Sequence, residues 1–208
     1  MTDGAPRSAP YAFGQERPPT PVDRFGVWLS GQRLRRELGS VEDKRVGDFG
    51  CGYNATFFRT ILSEVRSGVL VDVALAPDLQ SDPKVRAVEG QLPSALKELE
   101  DGSLDVVLCT SVLEHLWEPV EALREFQRLL APRGRCLINV PSWLGKRFLE
   151  FSAFRLGLSP EDSIDDHKTY YDPRDLWPLL VAAGFRPRNI RCFRHKFGLN
   201  TFATCVAE

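Results

Sequence analysis

Apolar positions change their rhythm several times along the chain. From residue 22, Phe25, Trp28, Leu29, Leu34 and Leu38 keep roughly one face while Arg33, Arg35 and Arg36 stand opposite, and Gly39 suits a stop. That spacing predicts a helix ending just before Gly39. Short apolar runs at 45–49, 68–73, 85–89, 104–109 and 135–140 then read as strands. Between them, Phe57, Phe58, Ile61, Leu62 and Val65 keep the i, i+3/i+4 spacing of a helix packed on one side, and 92–99 reads as a shorter one. Val120, Leu123, Phe126, Leu129 and Leu130 give the clearest helical face, with Pro119 fitting its first turn.

Strand and helix units repeated in this way, with strands apolar on both sides, predict a parallel sheet covered on both faces, a doubly wound α/β fold in three layers. The last two strands, at 188–193 and 201–207, are separated by only a short stretch and are expected to pair as an antiparallel hairpin, which brings the sheet to seven strands. Pro6, Pro10, Pro18, Pro19 and Pro21 lie among Gly, Ser and Thr in the first 21 residues. Such a segment builds no hydrophobic stripe, so residues 1–21 are expected to form a flexible tail and 22–208 a single domain. The alternative is that Tyr11 and Phe13 dock on the body.

Composition narrows the class of protein. With 208 residues, 43% hydrophobic and 26% charged, the chain matches globular averages and has room for a self-sufficient core. Its 27 basic and 28 acidic side chains leave a formal charge of -1, which argues against a dedicated nucleic-acid or anionic-membrane binder. Five widely spaced cysteines, Cys51, Cys109, Cys136, Cys192 and Cys205, contain no C-x-x-C pair. Reduced thiols, the absence of a long apolar run and an N-terminus unlike a signal peptide together predict a soluble, cytoplasmic protein with no membrane span.

Chemistry is expected at the carboxyl ends of the strands. The first strand runs into DFGCGYN, where Gly50 and Gly52 permit a sharp turn close to a ligand. Asp72, ending the second strand, suits the two hydroxyls of a ribose. A dinucleotide fits poorly, because Ala55 stands where the third glycine of G-x-G-x-x-G belongs. Asp48 would also repel a phosphate while attracting an amino group or a sulfonium.

DFGCGYN, LDVVLCTSVLEHLWEP, LLAPRGRCLINVPS and HKTYYDPRDLWPLLVAAGF resemble, in order, the motifs of class I S-adenosylmethionine-dependent methyltransferases of the small-molecule type, over about 45–208. The resemblance implies a Rossmann-like sheet and S-adenosyl-L-methionine as cofactor. Asp48, Gly50 and Gly52 would then face the methionine part and Asp72 the ribose. Val73 and Leu92 would sandwich the adenine, Gln91 would lie at its edge, and Thr110 near the sulfonium. Asn54 replaces a usual third glycine of this motif and is expected to tolerate positive φ there. Gln91 replaces a frequent acid.

On the acceptor side, His167 is the leading candidate for a base, oriented by Asp165 or Asp166, and His115 is a second catalytic candidate with a positioning role as its alternative. Asp105 reads as structural, and Glu114 belongs with His115 to the recurrent pattern of the resemblance. No metal site is expected, a cluster of Asp162, Asp165, Asp166 and His167 being a minor alternative. Trp143, Leu144, Phe148, Leu149, Phe151, Phe154 and Leu156 make 142–165 too apolar for a loop. It is expected to be a helical cap over the acceptor pocket, or else a homodimer contact.

The basic run of Arg186, Arg188, Arg191, Arg194 and Lys196 suits either a small anionic acceptor or the protection of an edge strand. These features predict methyl transfer to oxygen, less readily nitrogen, of a small metabolite or glycosyl precursor. The competing readings are a non-catalytic S-adenosylmethionine-binding protein and a nicotinamide-dependent reductase. The reductase is disfavoured because neither Tyr170 nor Tyr171 has a lysine four residues on.

Overall fold

The structure, a computed structural model, describes residues 12–15, 20–154 and 167–208. Strands β1 (Arg45–Phe49), β2 (Ser67–Asp72), β3 (Val85–Glu89), β4 (Leu104–Thr110), β5 (Leu130–Pro141), β6 (Ile190–His195) and β7 (Asn200–Val206) form one sheet in the order β3-β2-β1-β4-β5-β7-β6. Pairing is parallel from β3 through β5, and β7 runs antiparallel to both β5 and β6. The helices are α1 (Pro21–Leu38), α2 (Thr56–Arg59), α3 (Pro77–Gln80), α4 (Pro119–Leu129), α5 (Trp143–Phe154) and α6 (Pro173–Ala182). The fold is thus the doubly wound, mostly parallel sheet with an antiparallel C-terminal hairpin that the patterning predicts.

The two-residue period of β4 explains why its stretch from Val106 to Cys109 is apolar throughout. Val106 and Leu108 enter a core layer with Val46, Phe58, Ile61 and Leu70, while Val107 and Cys109 enter the opposite layer with Phe49, Leu123 and Phe126. Along that stretch, buried on both faces, no position is left for a polar residue. Helix α4 seals the second layer through Ala122, Leu123, Phe126 and Leu129, and Phe126 meets Phe49 at a ring separation of 5.3 Å. At the amino ends of the strands, the Asp105 carboxylate accepts bonds from the Arg45 backbone N–H at 2.8 Å and from its guanidinium at 2.9 and 3.2 Å. This ties β1 to β4 and gives Asp105 the structural role expected of it.

Two expected helices are shorter than the apolar spacing suggests. After α2 the chain continues in tight turns, because Thr60 and Ile61 N–H bond three residues back and the Thr60 hydroxyl also takes the Phe57 carbonyl at 2.7 Å. Phe58, Ile61 and Val65 are nevertheless buried, so the apolar face survives without the regular helix. At 92–99 only the 3₁₀ turn Ser94–Leu96 forms, where Pro93 lacks an N–H and Leu96 and Leu99 still reach the core. Strand β5 begins earlier than expected, at Leu130.

Residues 12–15, within the stretch expected to be a loose tail, make a turn on the body. Ala12 is buried, and the Phe13 carbonyl accepts the Tyr53 N–H at 3.0 Å. Tyr11 lies outside the described residues. No helix among the described residues is long and apolar enough to cross a membrane.

The Arg45 pairing holds the Asp105 carboxyl below its ordinary range, chiefly through the side-chain hydrogen bond. A depressed folded-state value adds stability that is present above the unfolded value and is lost as pH falls through the folded one. Asp105→Ala is therefore expected to cost about 1 kcal/mol at neutral pH for this partly exposed pair, a difference that shrinks below about pH 4. Urea unfolding of both proteins across pH checks this, and a pH-independent difference would refute the ionic contribution.

Candidate active site

The site lies where the chain reverses its direction of travel across the sheet, at the carboxyl ends of β1 and β4. Gly50 follows β1 with φ +71°, and its N–H reaches the Val71 carbonyl of β2 at 2.7 Å. A Cβ on Gly50 would stand 2.1 Å from Val112 Cγ2, so only glycine lets the loop after β4 close against the loop after β1. Gly52, with φ +74°, donates its N–H to Asp72 Oδ2 at 2.7 Å, and Val73 N–H reaches Oδ1 at 2.8 Å. The Asp72 carboxylate is thereby fixed at the end of β2, with lone pairs left on both oxygens for hydroxyl donors.

Burial raises the Asp72 carboxyl above its ordinary range, opposed by these two backbone donors. Asp48 is buried beneath the same loop, and burial together with the neighbouring charge of Asp72 pushes its carboxyl up to about 7. A cation placed here recovers the cost of ionising both acids. Val73 and Leu92 are half-buried, following β2 and β3, and the Gly90 N–H bonds the Asp72 carbonyl at 2.9 Å, which holds the start of the Gln91 segment beside β2. Gln91 is exposed.

Asn54 departs from expectation. The left-handed residue is Ala55, at φ 42°, whereas Asn54 is exposed. Ala55 is fully buried and closes a turn by donating to the Gly52 carbonyl at 3.0 Å, so packing rather than side-chain preference selects the strained position.

Thr110 ends β4, and its buried hydroxyl oxygen has no protein partner. The chain then turns through Leu113–His115. The Glu114 carbonyl accepts the Lys168 N–H at 2.6 Å, Tyr171 N–H bonds the Pro141 carbonyl at 3.0 Å, and the Tyr171 hydroxyl reaches the Leu113 carbonyl at 3.3 Å. These ties lay the segment before α6 across the ends of β4 and β5. They bring the two sequence-predicted histidines together, with the His115 and His167 rings edge to face at 4.7 Å. His167 Nδ1 lies 3.0 Å from the Tyr170 hydroxyl. Glu114 is 1% exposed, neither carboxyl oxygen has a hydrogen-bond partner, and burial pushes the group up to about 8. Asp162, Asp165 and Asp166 lie outside the described residues.

Helix α5 begins the expected cap at 142–165, of which 155–165 lies outside the described residues. It sits directly on the turn between β6 and β7: a Cβ on Gly145 would come within 2.1 Å of the Leu199 carbonyl. Trp143 meets the Tyr170 ring at 5.7 Å and donates its indole N–H to Asp175, while Trp143, Leu144 and Phe148 each leave about half their surface exposed.

The basic stretch is largely neutralised: Arg186 and Arg188 pair with Glu208, Arg191 with Glu37 and Arg194 with Asp172. Burial lowers Lys196 to about 8. Strand β6, which carries Arg191 and Arg194, is one of the two edges of the sheet.

Two residues that sequence reasoning overlooked lie beside these groups, Asn139 paired with Thr110 across β4 and β5 and Tyr170 against His167. Asn139 of β5 is fully buried, donates to Ser30 Oγ of α1 at 3.0 Å, and keeps an unpartnered Oδ1. A polar residue inside the apolar run LINV was the available signal, since burial of an amide needs a reason. Tyr170 was weighed only as a reductase residue and instead packs on His167.

A Rossmann-like sheet with a glycine turn after β1 and two buried or half-buried acids, Asp48 and Asp72, at its switch point defines the class of fold. A family profile described as a methyltransferase domain matches residues 24–189. The chain belongs to the class I S-adenosylmethionine-dependent methyltransferase family, whose cofactor is S-adenosyl-L-methionine.

The ubiquinone biosynthesis O-methyltransferase of Rickettsia bellii is 26% identical over 161 residues, covering 72% of this chain and 64% of that protein. A probable S-adenosylmethionine-dependent methyltransferase of Mycobacterium tuberculosis is 28% identical over 141 residues, covering 65% of this chain and 46% of that protein. The chain thus spans less than two thirds of either curated relative. The crystal structure of a SAM dependent methyltransferase from Archaeoglobus fulgidus shares the fold with a TM-score of 0.63 at 19% identity, covering 86% of this chain and 93% of that one.

The raised Asp48 carboxyl has a measurable consequence. A folded-state value above the unfolded one means that the folded protein holds the proton more tightly, so unliganded stability falls as pH rises from about 4 through 7. Asp48→Asn is expected to stabilise the unliganded protein by on the order of 2 kcal/mol at pH 8 and to change little at pH 4. Urea midpoints across that range test it, and parallel curves for the two proteins would show that Asp48 ionises freely.

Proposed function

We propose that this protein is a cytoplasmic enzyme that transfers the methyl group of S-adenosylmethionine to a hydroxyl oxygen of a small metabolite or glycosyl precursor. The observation that carries the reading is the meeting of two sets of residues at the carboxyl ends of the central strands. Gly50, Gly52, Asp48 and Asp72 form the cofactor side, and His115, His167 and Tyr170 the acceptor side. The name of the Rickettsia relative, an O-methyltransferase, favours oxygen as acceptor. All five cysteines are free, in keeping with a reducing compartment.

In this reading Asp72 receives the ribose hydroxyls, Val73 and Leu92 flank the adenine and Gln91 borders its edge. Asp48 faces the methionine ammonium and the sulfonium. Thr110 and Asn139 offer buried oxygens without protein partners, which polar groups of cofactor or acceptor would satisfy. Transfer is an in-line displacement, so alignment of oxygen, methyl and sulfur supplies most of the rate. His167, oriented by Tyr170, and His115 activate the acceptor hydroxyl. The aromatic wall of Trp143 and Tyr170 favours a flat or apolar acceptor body.

Two substitutions separate the halves of the site. Asp72→Ala is expected to weaken S-adenosylhomocysteine binding by at least about tenfold in calorimetry, since charged hydrogen bonds to two hydroxyls are lost. His167→Ala is expected to leave that affinity in place while lowering turnover about 10²- to 10⁴-fold with acceptors bearing hydroxyl groups. Unchanged cofactor affinity in the first variant, or full turnover in the second, would overturn the corresponding assignment.

A further inference from the structure

Glu114, His115 and His167 each present a ligand atom, and all three atoms lie within 4.8 Å of one another. Two donors on one small divalent cation are at most about 4.2 Å apart, twice a bond of about 2.1 Å, so movement of one side chain by about half an ångström completes the set. The backbone already holds the three residues in register. Glu114 and His115 are consecutive in one 3₁₀ turn, and the Glu114 carbonyl anchors the residue after His167.

Glu114 supplies an independent sign of a ligand. Its carboxyl is 1% exposed, and both oxygens lack a hydrogen-bond partner. A buried carboxylate in folded proteins is paired, hydrogen-bonded or bound to a metal, and among the described residues the first two are absent. His167 Nδ1 lies 3.0 Å from the Tyr170 hydroxyl, a contact that steadies the ring, as outer partners of metal-bound histidines do. Two imidazoles and one carboxylate suit a divalent first-row cation and leave coordination positions open.

We propose that Glu114, His115 and His167 bind a divalent cation, with Mn²⁺ as a suitable probe, and that this cation holds the acceptor hydroxyl during methyl transfer. The inference rests on the methyl-transfer reading for its role and deepens the activating function given to the two histidines, which act as ligands. Coordination of the hydroxyl oxygen lowers its pKa. The O–H bond breaks and the proton leaves to solvent. The bound oxyanion forms its bond to the methyl carbon as the carbon–sulfur bond breaks, and that electron pair stays on sulfur in neutral S-adenosylhomocysteine. The sequence gives little warning of the site, because His167 is far in the chain from the adjacent Glu114 and His115.

The test titrates Mn²⁺ into the full chain without cofactor, following free Mn²⁺ by electron paramagnetic resonance, a probe for which the free thiols compete weakly. S-adenosylhomocysteine binding is measured calorimetrically on the same samples. One Mn²⁺ per chain is expected, with affinity reduced by about tenfold or more in both Glu114→Gln and His167→Asn while S-adenosylhomocysteine still binds. The half-buried His167 provides the variant that folds if the buried Glu114 does not tolerate change. Absence of Mn²⁺ binding at millimolar concentration, or equal affinity in wild type and His167→Asn, overturns the cation site and leaves the methyl-transfer reading intact. Stoichiometric Mn²⁺ binding lost in both variants, with no S-adenosylhomocysteine binding to the wild type, supports the cation site and overturns that reading.

Discussion

The site is organised around the contact of Gly50 with Val112. A hydrogen at Gly50 in place of a methyl group lets the turn after β4 lie against the turn after β1, with Val112 Cγ2 where a Cβ would otherwise be. The groups proposed for the acceptor side are all reached from there. Thr110 precedes Val112, Glu114 and His115 follow it, and the Glu114 carbonyl in turn fastens the segment bearing His167. The spacing between the Gly50 turn and the His115–His167 pair is thus set by a buried contact and by backbone hydrogen bonds, and the proposed in-line displacement needs such fixed spacing.

Two acids are buried around this contact, and the Cys109 thiol, raised by its burial, feels the charges of both Glu114 and Asp48. Such a pair is costly to ionise in an empty pocket. Positive charge on either side, a sulfonium or ammonium by Asp48 and a metal ion by Glu114, lowers that cost. The groups least comfortable in the unliganded protein are therefore those with the most to gain from ligands.

Much of this was legible in the sequence because it rests on local rules. The apolar runs that became β1, β2 and β4 report burial on both faces, and the Gly50, Gly52 and Asp72 pattern reports a backbone that must turn and an acid that must end a strand. The shortfalls come from competition that spacing does not reveal. Thr60 draws the Phe57 carbonyl into a tighter turn, and Pro93 removes a donor from the expected second helix. Ala55 rather than Asn54 takes the left-handed conformation because the core claims it. The pairing of His115 with His167 and the burial of Asn139 against Ser30 depend on chain crossings that no local signal carries.

The place of β7 has a consequence for how the molecule is made. Residues 200–206 form an interior strand between β5 and β6, yet they are synthesised after the other six strands of the sheet. Until they emerge, β5 presents an open hydrogen-bonding edge flanked by its apolar faces, the kind of surface that recruits other chains. Folding of the parallel half is thus separated in time from closure of the sheet. A ribosome stalled before residue 200 would carry a nascent chain prone to aggregate, even though the residues of the cofactor loop had all been made.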